Sequence, residues 1–394
     1  LHKAIRRQRQ MCIRDRLKIL ASLIVFVFLI PYTASLYNGL SRLFGMAFHL
    51  DYTVCIVVMA VLTGIYVIAG GYMATAINDF IQGCIMIIGI IAVIASVLKS
   101  NGGFMQAIDA LARVEDAQAT STPGAFASFF GPDPFGLLCV VILTSLGTWG
   151  LPQMVQKFYA IKDEKSIGKG TLISTIFAII VAGGCYFLGG FGRLYDIDIA
   201  AQGYDAIIPA MIEKLSPFLI AVVVILVLSA SMSTLSSLVL ASSSTLTLDM
   251  IRGTIVKEMT EKKQVFIMRI FIVVFIAISA VIAVVQYKSG VTFIAQLMGI
   301  SWGALAGAFL APFIYSLYWK GVTKAAVLVN FLFGSGIMVA NMLARASFPT
   351  VLQSPINCGA FAMLAGLIIV PVVSLITPKL SDEKKQAVFS CYEK

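Results

Sequence analysis

Charge is scarce in this chain: Asp, Glu, Lys and Arg make up 12% of its 394 residues, about half of the roughly 25% usual in soluble domains. A water-soluble enzyme is excluded on that ground. Histidine is nearly absent, with only His2 and His49, so a histidine-based metal or acid–base centre is not expected. The seven cysteines (Cys12, Cys55, Cys84, Cys139, Cys185, Cys358, Cys391) show no CxxC spacing and mostly sit in apolar runs. They read as small packing residues, so neither a transition-metal site nor a disulfide framework is indicated. No catalytic constellation is visible, and enzymatic activity is not expected.

What the chain has instead is hydrophobicity: 59% apolar residues and a mean hydropathy of +0.94. A helix needs about 20 mostly apolar residues to cross a bilayer. Ten such runs recur, at about 18–44, 53–71, 77–98, 134–157, 167–190, 216–244, 267–287, 292–318, 324–345 and 357–377. They are continuous and rich in Leu, Ile, Val and Ala, without the period-two alternation of barrel strands. The expectation is an all-α polytopic membrane protein.

The formal net charge of +10 is distributed as membrane orientation rather than as a nucleic-acid surface. The connections Lys157 to Lys169, Arg252 to Arg269 and Lys320 to Lys324, with the tail Lys379 to Lys394, hold about 15 Lys and Arg, against about 7 on the opposite side. The basic side is expected to be cytoplasmic, with the C-terminus inside. Segments 100–133 and 192–215 then face outward, the second with a short amphipathic helix from Asp205 to Leu215. Glu213 and Lys214 read there as solvated surface charges.

Three domains are expected: a leader over 1–16, a membrane-spanning domain over 17–377, and a cytoplasmic tail over 378–394. The leader is basic and lacks an apolar core, so it is neither a signal peptide nor a span. Either it is a basic cytoplasmic loop, or, as the likeness of its QMCIRDR stretch to translated sequencing-adapter sequence favours, native sequence begins near Leu17 with earlier helices missing.

Polar residues stand out against this background. Between Ala230 and Thr245 lie nine Ser and Thr residues in an otherwise apolar span. Helical spacing puts Ser233, Ser236, Ser237 and Ser244 near one face, with Thr234 beside them. Either the hydroxyls bond back to carbonyls one turn earlier and permit close packing, or their oxygens replace water around a hard cation such as Na⁺. For the cluster, ion coordination is the favoured reading. Asp79, in Asn78-Asp79-Phe-Ile-Gln82-Gly83 directly after Gly70-Gly71, is either a helix N-cap or a functional carboxylate at membrane depth. Gly147, Gly150 and Pro152 interrupt the fourth run, and a helix break is expected there. Such a break either is a plain kink or frees backbone groups for a ligand. The small residues Gly183-Gly184, Gly189-Gly190 and Gly303 to Gly307 fit close helix contacts.

In order and spacing these elements resemble the solute:sodium symporter family. The resemblance covers residues 17–377. It is carried by Tyr32 and Ser35 with Arg42-Leu43-Phe44, by Gly70-Gly71 and Asn78 to Gly83, by Gly150-Leu-Pro152-Gln-Met-Val-Gln-Lys157-Phe158, and by Ser231-Met-Ser-Thr-Leu-Ser-Ser with Ser244 to Asp249.

The resemblance implies a LeuT-type inverted-repeat helix bundle, with the first visible span as third core helix and the serine-rich span as eighth. It implies sodium-coupled symport of a small organic solute by alternating access, with Na⁺ as coupling ion, no other cofactor, and a bacterial inner-membrane location. A non-transporting sensor or a channel on the same bundle is the alternative. The family's sodium site corresponds to the carbonyl of Ala230 and the hydroxyls of Ser233 and Thr234. A second, found in some relatives, corresponds to Asp79, Ser236 and Ser237. Substrate contacts fall on Tyr32, Ser35, Thr144, Thr148, Trp149, Tyr186 and Trp302. Thr144 and Thr148 stand where the proline symporter has aromatics, which points away from proline and leaves an amino acid or other carboxylate.

Overall fold

The computed structural model describes residues 15–116, 119–158, 161, 163–195, 197–252, 256, 259–289, 294–379 and 381. The expected leader and tail lie almost wholly outside them. In chain order the helices are α1 (Asp15–Phe48), α2 (Tyr52–Ser100), α3 (Phe104–Ala112), α4 (Pro134–Ser145), α5 (Pro152–Phe158), α6 (Glu164–Gly190), α7 (Ile207–Glu213), α8 (Pro217–Ser244), α9 (Glu261–Ser289), α10 (Ile294–Tyr318), α11 (Lys324–Leu343) and α12 (Pro355–Ile376). Among the described residues nine stretches are long and apolar enough to cross a bilayer, and the bent pair α4–α5 makes a tenth. These are the ten runs expected from hydropathy.

Local chemistry sets where the helices start. Asp51, Asp133 and Asp163 each cap the following helix, accepting from the amides of Thr53, Gly136 and Ser166 respectively, which satisfies amides that have no partner inside the helix. Pro134, Pro217 and Pro355 open their helices, where the missing N–H costs nothing.

Helical hydrogen bonding runs unbroken along α2, yet α2 contains two spans, Tyr52–Gly70 and Ile77–Ser100. The Nδ2 of Asn78 donates to the Tyr66 hydroxyl at 2.9 Å. On a straight helix those residues are about 18 Å apart in rise, beyond the combined reach of the two side chains. The chain therefore bends between Tyr66 and Asn78. Asp79 lies inside continuous helix rather than at its start, so the N-cap reading is corrected: its carboxylate meets Lys157 instead, as described below.

The bundle has a scaffold and a packed centre. Helices α1, α2, α8 and α9 pack on one another, and α10, α11 and α12 form a second tight group against α1. The most deeply enclosed span is α10, whose glycines let backbones approach. Gly303 faces Gly359 of α12, and Gly307 faces Gly334 of α11. Asn330 of α11 donates to the carbonyls of Gly307 and Ala308 at 2.9 and 2.8 Å, a bond that such close approach makes available. By contrast α6 buries no residue. It touches the bundle through Gly184 against Ile90 and Ile94 of α2.

At one end of the bundle, residues 192–215 close over α1 and α10. The short α7 buries Met211 and Ile212. Just before it, Asp205 accepts from the Ile294 amide at 3.2 Å through both carboxylate oxygens and lies 3.7 Å from the Arg42 guanidinium. Burial pushes the Asp205 carboxyl above the ordinary range, while the Ile294 amide and Arg42 pull the other way. Arg42 also lies over the Tyr287 ring, 5.7 Å from its centroid, and Tyr287 stacks on Tyr52 at 3.5 Å. A cavity of about 500 Å³ opens beside this group.

The contact between α10 and α11 leaves no room for one more carbon. A Cβ on Gly334 would lie 2.4 Å from the Gly307 carbonyl carbon and 2.5 Å from the Ala308 nitrogen. Gly334→Ala is expected to cost about 1–3 kcal/mol through overpacking and to lower the melting midpoint in detergent by several degrees. An unchanged midpoint would show that the two backbones lie further apart.

Candidate functional site

Two groups of polar and aromatic side chains form inside the bundle. The first is built on α8. Thr234 and Ser233 donate to the Ala230 carbonyl at 3.0 and 3.5 Å, and Ser236 and Ser237 donate to the Ser233 carbonyl at 2.9 and 3.1 Å. Ser244 bonds back to Ala241 at 3.3 Å in the same manner. Each hydroxyl hydrogen is thus spent inside its own helix, which is the ordinary way to satisfy a hydroxyl in an apolar setting. The oxygen lone pairs remain, and a hydroxyl whose proton is committed can act only as an acceptor or ligand. The two readings of the serine cluster are therefore compatible.

The bend of α2 supplies the other side of this group. Tyr66, tied to Asn78, lies beside the Ser236 side chain. Next to Asn78, Asp79 places Oδ2 3.8 Å from the Lys157 ammonium, and its Oδ1 is buried without a hydrogen-bond partner. Tyr66 thus links the serine helix to the Asn78-Asp79 step.

Lys157 arrives through the break in the fourth span. After α4 the chain makes a tight turn at Gly147–Gly150, extends at Leu151, and restarts at Pro152, bending by 51°. The interruption anticipated at Gly147, Gly150 and Pro152 coincides with this turn. Gly150 is required by contact: a Cβ there would come within 2.9 Å of the Leu310 amide nitrogen and 3.0 Å of the Ala306 Cα. Proline at 152 opens α5 rather than disrupting it, since the extended Leu151 before it suits the residue preceding proline.

The second group lies along α1, α10 and the break. Tyr32 meets Trp302 edge to face, with ring centroids 5.7 Å apart. Ser35 is buried and donates to the Tyr32 carbonyl at 2.7 Å, and the buried Ser301 hydroxyl has no partner. About one turn along α10 from Trp302, Ala306 contacts Gly147. Thr144 and Thr148 flank that glycine and bond back to Val140 and Ser145, both at 2.8 Å, while Trp149 projects outward at 57% exposure.

Tyr186 is not brought to this group. Gly184 turns α6 toward α2; two residues on, about 200° around the helix, Tyr186 points away and is 60% exposed. Sequence reasoning passed over three residues that the structure puts at the site: Tyr66, Lys157 and Gln153. Gln153 is buried, with neither amide atom partnered. It sits four residues before Lys157, on the same face of α5. A glutamine directly after a helix-breaking proline was the available signal, because a buried polar group without a partner is costly.

Comparisons with known proteins place this architecture. The substrate-bound outward-open structure of a Na⁺-coupled sialic acid symporter superposes with a TM-score of 0.66 over 92% of this chain and 76% of that one, at 16% identity. The fold is therefore the LeuT-type bundle of that symporter. Sodium/proline symporter 2 of Staphylococcus saprophyticus is 29% identical over 330 residues, 82% of this chain and 62% of that protein. The osmoregulated proline transporter OpuE of Bacillus subtilis is 27% identical over 366 residues, covering 92% and 71%. The chain thus spans roughly two thirds of the length of these relatives. Residues 8–334 match the profile of one family throughout, and the chain belongs to the sodium:solute symporter family.

Proposed function

We propose that the protein is a secondary active transporter, not an enzyme, that carries a small organic solute across a bacterial inner membrane with Na⁺, its C-terminus in the cytoplasm. The observation that carries this reading is the row of hydroxyls on α8. The Ala230 carbonyl with the Ser233 and Thr234 oxygens offers neutral ligands to a hard monovalent cation, inside a span where any uncompensated charge is costly. Asp79 with Ser236 and Ser237 is the second cation position that the family resemblance implies. Relatives named as sodium/proline symporters support sodium as the coupling ion.

The solute is assigned to Tyr32, Ser35, Thr144, Thr148, Trp149 and Trp302. The edge-to-face pair of Tyr32 and Trp302 gives one wall of the site, and the glycine turn at 147–150 gives another. Tyr186 and Trp149 belong to this set only by family register, since both face outward here. An amino acid or other small carboxylate as solute follows from the breadth of the family, and relatives named as sodium/proline symporters support an amino acid. Alternating access then follows from rocking of the broken α4–α5 span and α10 against the scaffold of α1, α2, α8 and α9. One Na⁺ moving down a ~10-fold gradient and ~100 mV supplies roughly 3.7 kcal/mol, enough for about 500-fold accumulation of a neutral solute.

In proteoliposomes, solute-dependent ²²Na⁺ uptake that saturates with solute is expected. A sensor or channel gives no fixed ratio of ion to solute, and that result would end the symport reading. Thr234→Ala is expected to raise the Na⁺ concentration for half-maximal uptake about tenfold, the effect of losing ~1.4 kcal/mol of ligation. Unchanged sodium dependence would remove Thr234 from the ion site.

A further inference from the structure

We propose that the cation at Asp79 is the protein's own Lys157 ammonium, which holds the second cation position in place of a second sodium ion. The inference rests on the symport reading for its meaning and on the geometry of one ion pair for its evidence. Lys157 Nζ lies 3.8 Å from Asp79 Oδ2. Asp79 comes from the second arm of α2, and Lys157 from the far side of the break, so the chain brings the pair together from two separately packed elements.

Three features argue that this is more than a surface pair. The Asp79 carboxylate is largely shielded, with 25% of its side chain exposed, and its second oxygen is buried without a partner. A carboxylate so placed needs one positive charge close by, and a second would be repelled. Next, the hydroxyls of Ser236 and Ser237 have already committed their protons to the Ser233 carbonyl. They cannot donate to Asp79 and so cannot neutralise it. Lastly, the pair joins the second arm of α2 to α5 across the break in the fourth span, rather than two neighbours on one exposed helix face.

A tethered cation differs from sodium in one respect that transport registers. It compensates the carboxylate but cannot be released to the other side, so it adds nothing to the driving force. Ammonium and Na⁺ compete for the same oxygen. Removing the ammonium opens the position to a mobile ion.

The test is equilibrium binding of ²²Na⁺ to the purified protein without solute, counted per polypeptide at saturation. Lys157→Met is expected to bind one more Na⁺ than the unaltered protein, and Lys157→Arg none extra. Adding Asp79→Asn to Lys157→Met removes the gain, and Asp79→Asn alone leaves the original count unchanged. Equal counts for Lys157→Met and the unaltered protein overturn the proposal. So does the loss of one ion in Asp79→Asn alone, because Asp79 then already held sodium. Should Lys157→Met fail to give monodisperse protein, Lys157→Gln and the Asp79→Asn arm decide the matter. A count of zero rising to one in Lys157→Met would sustain the proposal while removing sodium from the α8 site, so the two readings fail separately.

Discussion

Contact between the backbones of the broken span and α10 is the constraint on which the rest of the site depends. A helix interrupted inside a bilayer leaves amides and carbonyls without their usual partners, and this is tolerable only where protein, not lipid, surrounds them. Gly150 meets that condition by presenting no side chain to Ala306 and Leu310. Because the turn is seated there, α5 leaves it at a fixed angle. The direction of α5 then decides that Gln153 is buried and that Lys157 reaches Asp79. A larger residue at 150 would displace α5 and with it the cation that compensates a shielded carboxylate.

The serine helix solves a related difficulty by other means. The hydroxyls of Ser233, Thr234, Ser236 and Ser237 each donate to a carbonyl of α8 itself, so these four need no partners from neighbouring helices. That self-sufficiency leaves oxygens available on a face that also meets the bend of α2, through Tyr66 and Ser236. Packing and ligation are thus not rival explanations for these residues. The internal bond that satisfies the hydroxyl also orients its lone pairs, as the proposed ion site requires.

Much of this was legible in the sequence, and the parts that were not have a common character. Hydropathy marks spans because crossing lipid is a property of composition, so all ten were visible, and Gly147, Gly150 and Pro152 marked the turn because their backbone chemistry is local. The bend of α2 was half legible. Gly70-Gly71 suggested a boundary between spans, but nothing local says that helical hydrogen bonding persists through it, and hence that Asp79 caps nothing. The pairing of Asp79 with Lys157 joins residues 78 positions apart, and no periodicity reports such a contact. Tyr186 was assigned from family register, which fixes position along a helix but not which way α6 turns once Gly184 has packed on Ile90 and Ile94.

These observations bear on how charge is managed through a transport cycle. A shielded carboxylate must stay compensated in every conformation, including those with no ion bound. Neutral hydroxyl and carbonyl oxygens, such as those proposed as ligands at Ala230, Ser233 and Thr234, impose no such demand and can stand empty at little cost. Asp79 cannot. Its partner rides on α5, beyond the turn that joins the broken span to α10, while Asp79 rides on the scaffold side with α2 and α8. In the transport cycle proposed above, rocking of one group against the other acts directly on the Asp79–Lys157 distance. The long lysine stem spreads that change over four carbons, so the pair can persist through a movement that would strip a short, rigid ligand from its ion.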